Sequence, residues 1–74
     1  MELKITLKAA RVNAGLTQPE AAKKLGVTKD VISNWERHKT YPDASMIPKI
    51  EMVYGVEYSK LIFLPQHNAL SVSQ

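Results

Sequence analysis

The chain has 74 residues, a formal net charge of +3, a pI of about 9.3, 45% hydrophobic residues and no cysteine. That length fits one domain with no room for a second, and the lack of cysteine excludes disulfides and thiolate metal sites and fits a reducing cytosol. No run of about eighteen apolar residues exists to cross a membrane, Met1–Lys4 lacks a signal-peptide pattern, and the modest basic excess favours a polyanionic partner only where the charges are placed to meet one.

In chain order the pattern is one of short helices separated by turn signals, without strand alternation and without repeats. A first helix is expected over about Thr6 to Asn13. Ile5, Ala9, Val12 and Leu16 give it an apolar face at helical spacing, and Gly15 supplies the positive φ that closes it. A second helix opens at Thr17-Gln18-Pro19-Glu20. This is a capping box, in which Thr17 and Glu20 satisfy each other's backbone amides, with Pro19 in the first turn where its missing N–H costs little. The helix passes through Ala21, Ala22 and Leu25 to Gly26, about two turns, too short to be stable alone.

Thr28 then caps a third helix that runs to about Arg37, with Asp30 placed favourably against the helix dipole. Ile32 and Trp35 face inward, Val31 lies at the flank, and Lys29, Asp30, Ser33, Asn34 and Arg37 form one continuous polar face. Beyond the polar, basic loop from His38 to Asp43, Ser45 is expected to cap a fourth helix with Pro48 at its third position. Ile47, Ile50, Val53 and Tyr54 make the buried stripe of that helix, and Gly55 stops it. Val56 to Phe63 reads as a short fifth helix, with Leu61 and Ile62 packing back on the core. The domain is therefore expected over residues 1–64, and residues 65–74 form an extended or partly disordered C-terminal tail.

Two short helices joined by a tight Gly-containing turn define a helix-turn-helix unit. Ala22 is small where the second helix is crossed by the third, Gly26 fills the turn position, and Leu25, Val27, Ile32 and Trp35 share a core. The third helix is thereby held proud of the body, its polar face free to enter a major groove. The stretch from Gln18 to Trp35, with Leu16-Thr17-Gln18 before it and Asn34-Trp35-Glu36-Arg37 at its end, resembles the Cro/CI-type helix-turn-helix family of phage and bacterial repressors. The similarity extends over roughly Thr6 to Leu64, through Tyr41-Pro42-Asp43 and Tyr54-Gly55-Val56. It implies an all-α, compact, lambda-repressor-like bundle of five helices with the motif at helices two and three. It also implies sequence-specific binding of double-stranded DNA by a transcriptional regulator, a repressor of prophage or mobile-element type.

The resemblance assigns roles residue by residue. Gln18, with Thr17 beside it, would contact a phosphate at the N-terminus of helix two. Lys29, Asp30, Ser33 and Asn34 match positions that reach base edges; by type, Lys29 suits guanine O6/N7 and Asn34 suits adenine N6/N7. Asp30 either accepts from a cytosine N4 or only stabilises its own helix. Arg37, Lys39, Thr40 and Tyr41 would clamp the DNA backbone, and Arg11 and Glu36 match an internal salt bridge between helix one and the end of helix three. Where the family usually has Gly, this chain has His38. Either the loop differs there, or histidine takes positive φ at a cost of about 1 kcal/mol with its side chain on a phosphate.

Other residues read as ordinary structure. The spacing of Trp35 from Ile32 makes it core rather than a stacking platform, and Lys4, Lys8, Lys23, Lys24, Lys49 and Lys60 read as solvated surface. His38 and His67 lack partners at metal-ligand spacing, and there is neither a nucleophile–base pair nor a phosphate-cradling Gly-rich loop, so no metal, no cofactor and no enzymatic activity are expected. One helix reads too few base pairs for useful specificity. A homodimer on a two-fold operator is therefore expected, with half-sites roughly 34 Å apart and the run from Leu61 to Leu64 as candidate dimer surface. A rival reading is an antitoxin subunit or adaptor that binds a protein partner through Leu64 to Gln74. Either would work in the cytoplasm of a bacterium, the DNA-binding form at the nucleoid.

Overall fold

In the computed structural model, which describes residues 4–62, four α-helices are framed by two short strands that bring the ends of the domain side by side. The order is β1 (Ile5–Thr6), α1 (Leu7–Asn13), α2 (Gln18–Leu25), α3 (Lys29–Glu36), a 3-10 turn (Ala44–Met46), α4 (Ile47–Tyr54), a second 3-10 turn (Tyr58–Lys60) and β2 (Leu61–Ile62). The strands pair in parallel, Ile5 beside Leu61 and Thr6 beside Ile62. Among the described residues no helix exceeds eight residues, so none of these would persist alone. They are held by one core to which every helix and β2 contribute, centred on the fully buried Leu25, Ile32 and Ile50. Ala21 and Ala22 are both buried, and these small side chains let α2 pack closely against α3 and α4.

Local chemistry sets the helix ends. The hydroxyl oxygens of Thr6, Thr17 and Thr28 accept from the backbone N–H groups of Ala9, Glu20 and Val31 at 3.1, 3.2 and 3.3 Å. In the second of these caps the Glu20 carboxylate accepts from the Thr17 N–H at 2.9 Å. That bond, joined by the one to the Thr17 hydroxyl, holds the Glu20 carboxyl below its usual range. At the other ends, Gly15, Gly26, His38 and Gly55 all take left-handed backbone, and each is followed by an N–H that turns back to a helix carbonyl. Val27 N–H reaches Ala22 C=O at 3.0 Å after α2, and Lys39 N–H reaches Asn34 C=O at 2.9 Å after α3. These bonds satisfy carbonyls that a helix end leaves open. All three glycines of the chain are thus helix stops, and His38, at φ 63°, is the fourth.

Three expectations are corrected. The inward residues of α1 are Leu7 and Ala10, joined by Arg11, at helical spacing i, i+3, i+4. Val12 is 55% exposed, and Ile5, Ala9 and Leu16 are only half-buried, because a charged residue holds one place on the core side. Ser45 does not cap α4: it lies in the 3-10 turn that follows Asp43 and donates its hydroxyl to the Asp43 carboxylate at 2.7 Å, while α4 begins at Ile47 with Pro48 in its first turn.

The third correction concerns the expected fifth helix. Over residues 56–62 the chain forms a 3-10 turn and β2, because its backbone there pairs with β1. The described fold is helical with a strand pair. Leu61 is buried in the core, so it does not offer itself as dimer surface. Phe63, Leu64 and the tail at 65–74, with His67, lie outside the described residues, as do residues 1–3.

Candidate nucleic-acid interface

Only Gly26, Val27 and Thr28 separate α2 from α3. With Gly26 left-handed and Val27 packed against the core, the turn is short enough to fix α3 against α2. Ile32 and Trp35, at 1% and 6% exposure, anchor the inner side of α3. Lys29, Asp30 and Arg37 are exposed on the outer side, with Ser33 and Asn34 half-buried beside them. Asp30 sits in the first turn, where the helix dipole favours a negative charge. One turn apart, Arg37 Nη2 donates to Asn34 Oδ1 at 3.1 Å, so these two side chains are presented together.

The loop after α3 folds back on the helix end. The N–H groups of Lys39 and Thr40 both donate to the Asn34 carbonyl, at 2.9 and 3.4 Å, and the Tyr41 hydroxyl donates to the His38 carbonyl at 3.2 Å. The rings of His38 and Tyr41 lie 6.5 Å apart, tilted by 40°. Of the two alternatives left open at His38, the backbone takes positive φ and the loop keeps the helix-stop geometry. Lys39, Thr40 and Tyr41 are exposed, and the bonds to the Asn34 carbonyl hold Lys39 and Thr40 at the end of α3.

Behind this face lies a buried polar cluster. Arg11 Nε and Nη2 donate to Glu36 Oε2 and Oε1 at 2.6 and 3.1 Å, and Arg11 Nη1 donates to the Leu16 carbonyl at 2.8 Å. The two side chains are 10% and 5% exposed. The bidentate bond to Glu36 holds the Arg11 guanidinium above its already high ordinary value. Gln18 Nε2 completes the cluster by donating to Glu36 Oε1 at 3.0 Å. Tyr54 of α4 is close enough to feel both charges: burial first, then Glu36, pushes its hydroxyl up to about 12, against the opposing effect of Arg11. Glu36 therefore ties α1 and α2 to the end of the helix that carries the polar face.

Sequence reasoning placed Gln18 on a phosphate alone and missed its bond to Glu36. No local pattern encodes a contact between the start of one helix and the end of the next. Thr17 proves largely committed to its cap, through its N–H to Glu20 and its hydroxyl oxygen to the Glu20 N–H. Lys4, Lys8, Lys23, Lys24, Lys49 and Lys60 are all exposed. Among the described residues no group of three or more His, Asp or Glu could hold a metal ion, and no helix is long and apolar enough to cross a membrane.

A helix-turn-helix family signature matches residues 7–61, from the first residue of α1 to the first of β2. The chain is also 40% identical over 62 residues to the HTH-type transcriptional regulator ImmR of Bacillus subtilis (strain 168), a match covering 84% of this chain and 49% of that protein. It thus spans about half the length of this relative.

Proposed function

This chain belongs to the Cro/CI-type helix-turn-helix family, and from that membership we propose that it binds double-stranded DNA at specific sequences and regulates transcription, as a repressor of prophage or mobile-element type. The observation that carries the reading is the two-sidedness of α3. One side is locked into the core, and the other offers Lys29, Asp30, Ser33, Asn34 and Arg37, with the exposed Lys39 and Thr40 bonded to the Asn34 carbonyl at the helix end. An α-helix with such a face fits the major groove of B-form DNA.

In this mechanism α3 lies in the groove. Lys29 donates to guanine O6/N7, Ser33 reaches a neighbouring base edge, and Asn34 pairs with adenine. Arg37 occupies one acceptor site of Asn34 Oδ1, leaving its second lone pair and the amide hydrogens for the base. Asp30 serves the helix dipole first. Gln18 meets a phosphate at the start of α2, with Thr17 beside it, and Arg37, Lys39, Thr40 and Tyr41 hold the backbone after α3. Two copies on a two-fold operator, half-sites roughly 34 Å apart, would supply the specificity that one helix lacks. Such a regulator acts in the bacterial cytoplasm, at the nucleoid.

Selection of bound duplexes from a random pool, repeated with Asn34→Ala, tests the reading. The expected result is an enriched motif that loses its preference at one base pair per half-site in the variant. No enrichment, or a motif untouched by Asn34→Ala, would overturn it.

A further inference from the structure

The phosphate contact proposed for Gln18 depends on a side chain from another helix. We propose that Glu36 is a positioning residue for that contact: its carboxylate, neutralised by Arg11, holds the Gln18 amide so that one N–H is left to meet a DNA phosphate. This rests on the DNA-binding reading above.

A glutamine amide nitrogen carries two hydrogens. One goes to Glu36 Oε1, at 3.0 Å, and the other remains for a partner outside the protein. Without Glu36, the half-buried Gln18 side chain would sample several rotamers and lose that freedom on meeting DNA. Held by Glu36, it has lost that freedom beforehand, which is the advantage of preorganisation. A bare carboxylate here would repel a phosphate. Glu36 avoids this because both its oxygens receive Arg11 and its side chain is 5% exposed.

The rest of the α2 N-terminus makes Gln18 matter more. The Thr17 and Glu20 N–H groups are used within the capping box, and Pro19 has none. The Gln18 backbone N–H is left without a partner among the described residues, so the backbone and side-chain donors of one residue remain for the same phosphate. Arg11 also binds the Leu16 carbonyl, two residues before Gln18. The start of α2 and the end of α3 are thus fixed to one guanidinium–carboxylate pair, which sets where the protein grips the DNA backbone relative to where it reads bases.

A double-mutant cycle on DNA affinity tests this, using the 74-residue chain and the duplex that it enriches from a random pool. Gln18→Ala and Glu36→Gln should each weaken binding by about tenfold, the scale of one hydrogen bond, and the double variant should bind no more weakly than Gln18→Ala alone. Glu36→Gln should leave the enriched motif unchanged, because no base contact is lost. Equal losses from Glu36→Gln in the presence and absence of Gln18 would mean that Glu36 acts only through the fold, and would overturn the proposal. Affinities are read per folded molecule, with folding followed by far-UV circular dichroism. If Glu36→Gln unfolds the domain, Glu36→Asp takes its place in the cycle: it keeps the charge beside Arg11 but draws the carboxylate back from Gln18. A wild-type chain that enriches no duplex would overturn the DNA-binding reading itself. Enrichment with additive losses would overturn only the role of Glu36.

Discussion

The two sides of α3 obey different rules. On the inner side, Ile32 and Trp35 are buried and Glu36 takes bonds from Arg11 and Gln18. On the outer side, Lys29, Asp30 and Arg37 are exposed, and among the described residues the hydrogen bond between side chains there is the one from Arg37 to Asn34. Exchanging an inner residue disturbs packing at near-crystalline density, whereas exchanging an outer one alters little but the surface shown to a partner. Family membership is therefore written largely in residues that the core or the Arg11–Glu36 pair holds in place. The DNA preference proposed for this helix is left to residues that the fold tolerates freely.

The largest expected effect lies on the inner side. Ile32→Ala should cost about 2–5 kcal/mol, from lost apolar transfer and from the cavity left behind. In a domain this small that is most of the total stability, so the variant should be partly or wholly unfolded at room temperature. Urea denaturation followed by circular dichroism measures it. A loss below about 1 kcal/mol would mean that this side can collapse around the gap, contrary to a tightly packed seam.

A medium effect is expected at the two stops that flank α3. Gly26 and His38 occupy the same left-handed backbone, at φ 75° and 63°, one before the helix and one after it. A Cβ at Gly26 would meet only Lys49 Nζ, at 3.6 Å, an ordinary contact. The cost of Gly26→Ala is therefore conformational: about 1–2 kcal/mol of left-handed strain, offset by about 0.5–1 kcal/mol of freedom removed from the unfolded chain, a net loss of about 0.5–1 kcal/mol. His38→Gly relieves about the same strain, but it adds about 0.5–1 kcal/mol of backbone freedom to the unfolded chain and gives up the ring's place beside Tyr41, so its stability should stay close to wild type. Thermal melts of both variants check the pair. Destabilisation by His38→Gly would show that the histidine side chain makes contacts that outweigh its backbone strain.

The same contrast explains what could be read from the sequence. The span from Thr17 to Arg37 is legible because its signals are local: a capping box at Thr17, a second threonine cap at Thr28 and a glycine stop all act within a few residues. The inward face of α1 was misphased because Arg11, a charged residue, occupies a core position that only its bond to Glu36 makes tolerable. The stretch from Val56 to Phe63 reads as helix in the sequence because the partner that makes Leu61–Ile62 a strand is Ile5–Thr6, at the far end of the domain, and a two-residue strand shows no alternation. The link from Gln18 to Glu36 escaped for the same reason. Asn34, by contrast, was legible as a candidate base reader, but its bond to Arg37 depends on side-chain rotamers that no spacing rule specifies.

The smallest expected change is the one that could break the comparison outright. Lys29→Ala and Asn34→Ala should each leave stability within about 0.5 kcal/mol of wild type. Lys29 is exposed at the start of α3 and keeps its place in the helix as alanine, a better helix former. Asn34 loses a solvent-exposed bond from Arg37, but the part of Asn34 that the fold uses is its carbonyl, which accepts from Lys39 and Thr40 and is unchanged in the variant. Urea midpoints would settle the matter. A loss above about 1 kcal/mol in either variant would mean that the outer face helps to hold α3, so its residues could not vary independently of the fold. Unchanged midpoints combined with an altered DNA motif in Asn34→Ala would show that this helix keeps stability on one side and recognition on the other.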